Sequence, residues 1–283
     1  MYKSIFVPLQ GLSRDAEALN AAYRVASLYG AHLDCLHVRP DPRLLVASTT
    51  AGMETGLGVG VFPAELWNAL VEADQQRARA ARVHFEKFCK NLGVSKVAAD
   101  SKGVTASFHE VEGDAARDMT KNARYSDLVV LGHDSLASEV SWDAKGDVII
   151  GCGRPVLLAP TKAELFALSN VAIAWKDTAE AARAVTAAMP LLAKAGDIVV
   201  LAAREGPAKV EDALRSAERV AAFLRRHSFP ARAEHVPAEN KGVPDAVIDR
   251  AIELKSDILV MGAYGHGRMR EFVFGGFTRH VLA

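Results

Sequence analysis

An internal repeat constrains the fold of this chain more than any other feature of its sequence. A strand-like run, a helical stretch and an apolar run that begins at Gly30 return in the second half, where the last run begins at Gly196, 166 positions on. Later, Ser-Asp-Leu-Val-Val-Leu-Gly, ending at Gly132, returns as Ser-Asp-Ile-Leu-Val-Met-Gly, ending 130 positions on at Gly262. The two offsets predict a duplicated domain with about 36 extra residues in the first copy.

Within each copy, short apolar runs alternate with helical patterns, as in βαβ units around a parallel sheet buried on both faces. The predicted fold class is α/β: two tandem doubly wound domains, each with a mainly parallel five-stranded sheet flanked by helices. The predicted strands are Ile5–Leu9, Leu33–Val38, Ser107–Val111, Leu128–Leu131, Val156–Ala159, Val171–Trp175, Ile198–Ala202, Ala231–Val236 and Ile258–Met261. The predicted helices are Asp15–Leu28, Ala64–Asn91, Asp114–Asn122, Ala179–Ala195, Val210–His227 and Pro244–Leu254.

The predicted domains span 1–161 and 170–283, and 162–169 reads as a short linker. An inserted segment near 42–88 contains Gly56-Leu-Gly58-Val-Gly60, a density of glycine that is typical of a loop; a lid over a pocket is the alternative. The offset of 130 aligns Ala283 with Gly153, so the second copy is expected to stop before its last strand.

Composition predicts an ordinary cytoplasmic globular protein. The 283 residues are 50% hydrophobic, and 34 basic residues balance 34 acidic ones, which argues against a nucleic-acid or membrane-surface partner. No signal peptide or membrane-spanning run is recognisable in the sequence. The three cysteines, Cys35, Cys89 and Cys152, are far apart, so they are expected to be buried free thiols rather than a disulfide or a zinc site.

The last predicted strand runs straight into glycines at positions 262, 265 and 275. Glycine lets a backbone turn through positive φ and approach a ligand closely, and free N–H groups beside a helix start favour an anion. Ligands of parallel α/β sheets bind outside the carboxyl ends of the strands, which is where this loop begins. The pattern therefore predicts a phosphate-binding loop in the second copy.

The order of elements, the Ser-Asp-Ile-Leu-Val-Met-Gly run and the spacing Gly262-x2-Gly265-x9-Gly275 resemble the universal stress proteins, specifically their tandem two-domain members. The resemblance covers essentially the whole chain. It implies a stress sensor or regulatory protein that, in the nucleotide-binding branch of the family, holds ATP in this loop, with Mg or Mn bridging the phosphates. Carried onto this sequence, the nucleotide-binding residues are Trp175, Lys176, Asp177, Ala203, Gly262, Gly265, His266, Gly267, Arg268, Gly275, Gly276, Phe277 and Thr278.

The chain departs from the family pattern at two places in this site. Gly276 stands where relatives have Ser or Thr, although Thr278 could supply a hydroxyl instead. Lys176 stands where ATP-binding relatives have an aspartate for the ribose, and Asp177 follows one residue late. Lys176 either meets phosphate or points into water. Trp175 either stacks on adenine or belongs to the core or its rim.

The first copy is further from the motif. Gln10 stands at the aspartate position, and Ser135 and Lys145 replace the second and third glycines, which brings side chains into the space of a phosphate. We therefore predict that the first copy binds no nucleotide and has a structural or pairing role. Asp127 and Asp257, which precede the fourth strands of the two copies, are expected to serve as caps or turn residues.

No P-loop, nucleophile elbow or HExxH motif occurs in the sequence, and no activated nucleophile or general base can be assigned. Catalysis beyond slow ATP hydrolysis is not expected. Two functions remain: a nucleotide-binding regulator, or an interaction protein without nucleotide that acts through dimerisation and partner binding. The expected assembly is a homodimer or an intramolecular pair of domains.

Overall fold

The structure of the chain is a computed structural model that describes residues 1–41, 64–96, 103–132, 146–159, 168–204, 210–238 and 242–263. The chain divides into two compact units, Met1–Glu164 and Leu165–Ala283. Predictions for the Gly56–Gly60 segment, for Ser135 and Lys145, and for the glycine loop beyond Ala263 lie outside the described residues.

The first unit is built on a five-stranded parallel sheet. Its strands are β1 (Ser4–Pro8), β2 (His32–Pro40), β3 (Thr105–Gly113), β4 (Leu128–Gly132) and β5 (Val156–Ala159), and their order in the sheet is β3-β2-β1-β4-β5. The helices are α1 (Asp15–Ser27), α2 (Ala64–Leu92) and α3 (Ala115–Ala123), with a further helical segment at 146–151 that the sequence patterns did not predict.

The described part of the second unit holds a four-stranded parallel sheet. Its strands are β6 (Asn170–Ala174), β7 (Asp197–Arg204), β8 (Ala231–Pro237) and β9 (Ile258–Met261), in the order β8-β7-β6-β9. The helices are α4 (Ala179–Leu192), α5 (Val210–Arg226) and α6 (Val243–Glu253). Two sheets of parallel strands, each flanked by helices, confirm the predicted α/β fold class.

Strand register tests the repeat residue by residue. Ile5 pairs with Leu128 in the first sheet, and Val171 pairs with Ile258 in the second. The offset of 166 relates Ile5 to Val171 and the offset of 130 relates Leu128 to Ile258, so both offsets are correct at the centre of the sheets.

The predicted match between Gly30 and Gly196 is wrong by one residue. Ser4 pairs with His32, whereas Asn170 pairs with Asp197, which makes Ala31 the structural equivalent of Gly196. The connection from the first strand to the second is therefore one residue longer in the first unit.

The apolar runs form strands because both of their faces are covered. Val129 and Leu131 of β4 are almost fully buried and pack in one cluster with Met119 and Ala123 of α3. The matching cluster of the second unit joins β6 and β7 to α6, with Ala172, Leu201, Ala246 and Val247 among its members. Each large apolar side chain buried in this way contributes about 1.5–3 kcal/mol.

Two aspartates fasten the amino edges of the sheets in the same way. Asp127 Oδ2 accepts hydrogen bonds from the backbone N–H groups of Lys3 (2.6 Å) and Ser4 (3.1 Å). Asp257 Oδ2 accepts from Ser169 (2.7 Å) and Asn170 (2.9 Å). Both aspartates therefore join the start of a distant strand, a different role from the predicted cap or turn, and the shared contact accounts for the recurrence of the aspartate in the repeat.

Candidate functional site

In both units the strand order reverses at the centre of the sheet. β1 lies between β2 and β4 in the first unit, and β6 lies between β7 and β9 in the second. Where the connections after two neighbouring strands lead to opposite sides of the sheet, a crevice opens outside the carboxyl ends of those strands. Ligands of open α/β sheets bind in this crevice. Each unit therefore has one candidate ligand crevice at its carboxyl edge.

The crevice of the second unit brings several predicted site residues to one edge. Ala174 pairs with Met261, so the turn that starts at Trp175 and the loop that starts at Gly262 leave adjacent strands at the same level. Ala203 lies near the end of the neighbouring strand β7. Trp175 extends the hydrogen-bond ladder between β6 and β7 by one bond, since its backbone N–H donates to the Leu201 carbonyl at 2.9 Å.

A hydrogen-bond chain orients Trp175 and Asp177. The indole Nε1–H of Trp175 donates to Ser216 Oγ at 3.0 Å, and Ser216 Oγ donates to Asp177 Oδ2 at 3.1 Å. Ser216 lies on α5, so this helix fixes both side chains of the turn. Sequence reasoning missed Ser216, because a lone serine within a helical pattern gives no signal of a partner 39 residues away.

The backbone of the same turn carries two donors that lack a partner among the described residues. Lys176 and Asp177 are both exposed, and within the described ranges neither of their N–H groups has a hydrogen-bond partner. The next amide, that of Thr178, donates to the Lys176 carbonyl at 2.7 Å. An anion at this edge would meet two free N–H groups and the Lys176 ammonium, a combination suited to phosphate or carboxylate oxygens.

The first turn of α4 is already capped. Thr178 Oγ1 accepts the N–H of Ala181 at 3.3 Å. The carboxylate of Glu180 accepts its own backbone N–H and pairs with Arg183, and these contacts lower the pKa of Glu180 below its ordinary value. The donors open to a ligand therefore belong to the turn rather than to the helix.

Gly262 is a glycine for a reason that involves no ligand. A Cβ atom at this position would lie 2.6 Å from the Ala181 nitrogen and 2.8 Å from the Glu180 carbonyl carbon. Both atoms are backbone, so no side-chain movement could relieve the overlap. The first turn of α4 packs directly on the end of β9, and only a residue without Cβ allows that approach.

The crevice of the first unit contains a small pocket. Its interior, about 20 Å³, has room for about one water molecule. Among the described residues it is lined by Pro8, Gln10, Leu12, Arg14, Asp15, Ala18, Met119, Leu131, Gly132 and Val148. Its floor is mainly apolar, and its polar residues come from the β1–α1 turn.

Most of the predicted glycine loop lies beyond the described residues. This applies to Gly265, His266, Gly267, Arg268, Gly275, Gly276, Phe277 and Thr278. Within the described segments, no three His, Cys, Asp or Glu side chains converge as metal ligands do. No helix in those segments combines the length and the apolar character of a membrane span.

The architecture defines a class: doubly wound parallel α/β units with a candidate ligand crevice at each carboxyl edge. Among solved structures, a universal stress protein from Archaeoglobus fulgidus DSM 4304 aligns over 99% of this chain and 91% of its own, with a TM-score of 0.68 at 15% identity. The chain therefore has the fold of the universal stress proteins, as the sequence resemblance predicted.

Other matches cover about half of the chain. The universal stress protein from Archaeoglobus fulgidus in complex with dAMP covers 56% of this chain and 98% of its own, with 17% identity and a TM-score of 0.32. A universal stress protein in complex with cAMP covers 57% and 98%, with 17% identity and a TM-score of 0.31. At such scores the fold assignment depends on the full-length match alone. No protein-family model matches the sequence, and neither does a curated protein.

Proposed function

We propose that this chain is a regulatory protein of the universal stress type that binds one adenine nucleotide, ATP or a relative, at the carboxyl edge of its second sheet. One observation carries the proposal: the turn after β6 presents two N–H groups that have no partner in the described segments, beside the exposed Lys176. Oxygens of a phosphate would accept from both amides and gain the charge of the ammonium.

The side chains of the turn suit the remaining parts of a nucleotide. One carboxylate oxygen of Asp177 accepts the hydrogen bond from Ser216, and the other oxygen can accept a hydrogen bond from a ribose hydroxyl. Trp175 is half-buried and held by Ser216, which offers a fixed aromatic ring near the crevice. The family resemblance assigns the remaining phosphate contacts to the glycine loop after β9, and Mg or Mn would accompany a bound triphosphate and offset its charge.

Calorimetric titration with ATP and with AMP, each with and without magnesium, tests the proposal. Lys176→Ala should weaken the binding of ATP about tenfold, since a charge-assisted bond of about 1.5 kcal/mol is lost. Lys194→Ala is the matched control, because Lys194 is equally exposed but lies after the far end of α4, at the amino edge of the sheet. Absence of heat with the parent protein would refute nucleotide binding. Equal affinities of the two variants would refute the role of Lys176.

A second function, an interaction protein without nucleotide, is favoured by the packing of Gly262. Since the first turn of α4 demands a glycine there, the first glycine of the loop is required even if no phosphate binds. Under this alternative, native mass spectrometry would find a homodimer or a partner complex whose population does not change when ATP is added. A shift of that population with ATP would favour the regulator instead.

A further inference from the structure

The β1–α1 turn of the first unit holds an anion that belongs to the chain itself. The Asp15 carboxylate accepts the backbone N–H of Gln10 through Oδ1 (2.9 Å) and that of Gly11 through Oδ2 (2.8 Å). Asp15 is only 5% exposed, although it is the first residue of α1 and lies on the wall of the crevice. A carboxylate bound by two successive amides is the arrangement in which a turn binds an external anion.

The long helix α2 packs against this turn. Gly11 has a φ of +72°, and a Cβ at this position would lie 2.1 Å from the Arg77 carbonyl oxygen of α2. From the next turns of the same helix, His84 Nδ1 approaches Asp15 Oδ2 to 3.3 Å. The turn and its bound carboxylate are therefore both in contact with α2.

Among its described residues, the second unit shows no matching internal contact. The offset of 166, which the strand register supports at the neighbouring positions, matches Gln10 to Lys176 and Gly11 to Asp177. The amides of Gln10 and Gly11 are bound by Asp15, whereas those of Lys176 and Asp177 have no partner in the part of the chain that the structure describes. The two units therefore differ at these two backbone groups within the described ranges.

We propose that Asp15 is an internal anion that occupies the turn of the first unit and closes its crevice to external anions. This inference concerns the first unit only and does not depend on whether the second unit binds a nucleotide.

The test compares thermal unfolding of variants in phosphate and in chloride at equal ionic strength. Asp15→Ala removes the carboxylate and frees both amides, so inorganic phosphate should stabilise this variant beyond any effect on the parent. With a dissociation constant of about 10 mM, 100 mM phosphate would raise the folding equilibrium constant about tenfold. Glu17→Ala is the control, because it removes the same charge two residues along the same helix. Equal phosphate responses of the two variants would overturn the proposal.

A second measurement keeps the proposal testable if Asp15→Ala does not fold. Asp15→Asn keeps the volume of the side chain but replaces one charged acceptor oxygen, so amide hydrogen exchange at Gln10 and Gly11 should become about 10- to 100-fold faster than in the parent. Amide hydrogen exchange at the amino edge of the first sheet, for example at Ser4, should not change. An unchanged rate at Gln10 and Gly11 would show that the carboxylate does not hold these amides.

Discussion

Replacing Gly262 by alanine separates a packing role of this glycine from a ligand-binding role. The added Cβ would meet the backbone of Glu180 and Ala181 at 2.6–2.9 Å. Overpacking of this kind costs about 1–3 kcal/mol. The backbone at Gly262 does not have the positive φ that disfavours alanine. Alanine therefore lowers the conformational entropy of the unfolded chain without straining the folded backbone, which stabilises the fold by about 0.4–1 kcal/mol. The midpoints of the two ranges leave an expected net destabilisation of the second unit of roughly 1.3 kcal/mol.

The first unit supplies the matched control for this substitution. A Cβ at Gly132, the repeat partner of Gly262, would lie 3.4 Å from its nearest neighbour, the Arg14 carbonyl oxygen, which is an ordinary contact. Gly132→Ala should therefore leave the stability within about 1 kcal/mol of the parent, with the entropic gain in its favour.

Urea unfolding followed through Trp175 reports on the second unit, provided that Trp67 and Trp142 are replaced by phenylalanine. Two compact units need not unfold together, so a probe confined to one of them is required. If Gly262→Ala unfolds at the same urea concentration as its background, the packing explanation is wrong. If its stability is unchanged but ATP no longer binds, the glycine serves the ligand.

Three further predictions follow from buried or linked groups. Burial, together with the nearby charges of Tyr29 and Asp127, raises the pKa of Tyr2 well above its ordinary value near 10. The neutral phenol therefore stabilises the fold below about pH 10, and this contribution is lost as the pH rises beyond it. Tyr2→Phe should reduce the decrease of the unfolding midpoint at alkaline pH, and an unchanged pH profile would contradict this. Ser216→Ala removes the partner of the Trp175 indole, so tryptophan emission should shift to the red with little change in far-ultraviolet circular dichroism, whereas an unshifted spectrum would show that the indole does not depend on Ser216. Burial raises the pKa of all three thiols, so a thiol reagent should label them at a measurable rate only after unfolding; rapid labelling of the native chain would refute this for Cys35, Cys89 and Cys152.

The fold was predictable because its central strands, such as β1 and β4, are buried on both faces and read as uninterrupted apolar runs. For two other strands, Val156–Ala159 and Ile258–Met261, the observed bounds coincide with the predicted ones. The helical segment at 146–151 was missed because Gly146 and Asp147 open it and only three apolar residues follow, which is too short for a helical period to show. The predicted burial of the three thiols is confirmed.

The candidate site was less predictable because several of its contacts depend on chain segments that are distant in sequence. Nothing local to Asp15 indicates that its carboxylate binds the turn before it, or that His84 lies 69 positions on against the same oxygen. The glycine pattern is ambiguous for a related reason. A phosphate and a packed helix both require that a side chain be absent, so the sequence around Gly262 cannot distinguish the two. The structure adds the contact with the backbone of Ala181, which is a packing reason for the glycine.

The predicted difference in nucleotide binding between the two units has a second physical basis at their first turns. The sequence predicts that the first copy binds no nucleotide, because Ser135 and Lys145 replace two glycines of the loop. Under our proposal, Asp15 provides an independent reason, since it already satisfies the amides that a phosphate would need. Restoring glycines at 135 and 145 would therefore not be sufficient to give the first unit a nucleotide site. Such a variant should bind ATP only when Asp15 is also replaced, and binding without that replacement would show that the internal carboxylate yields to a ligand.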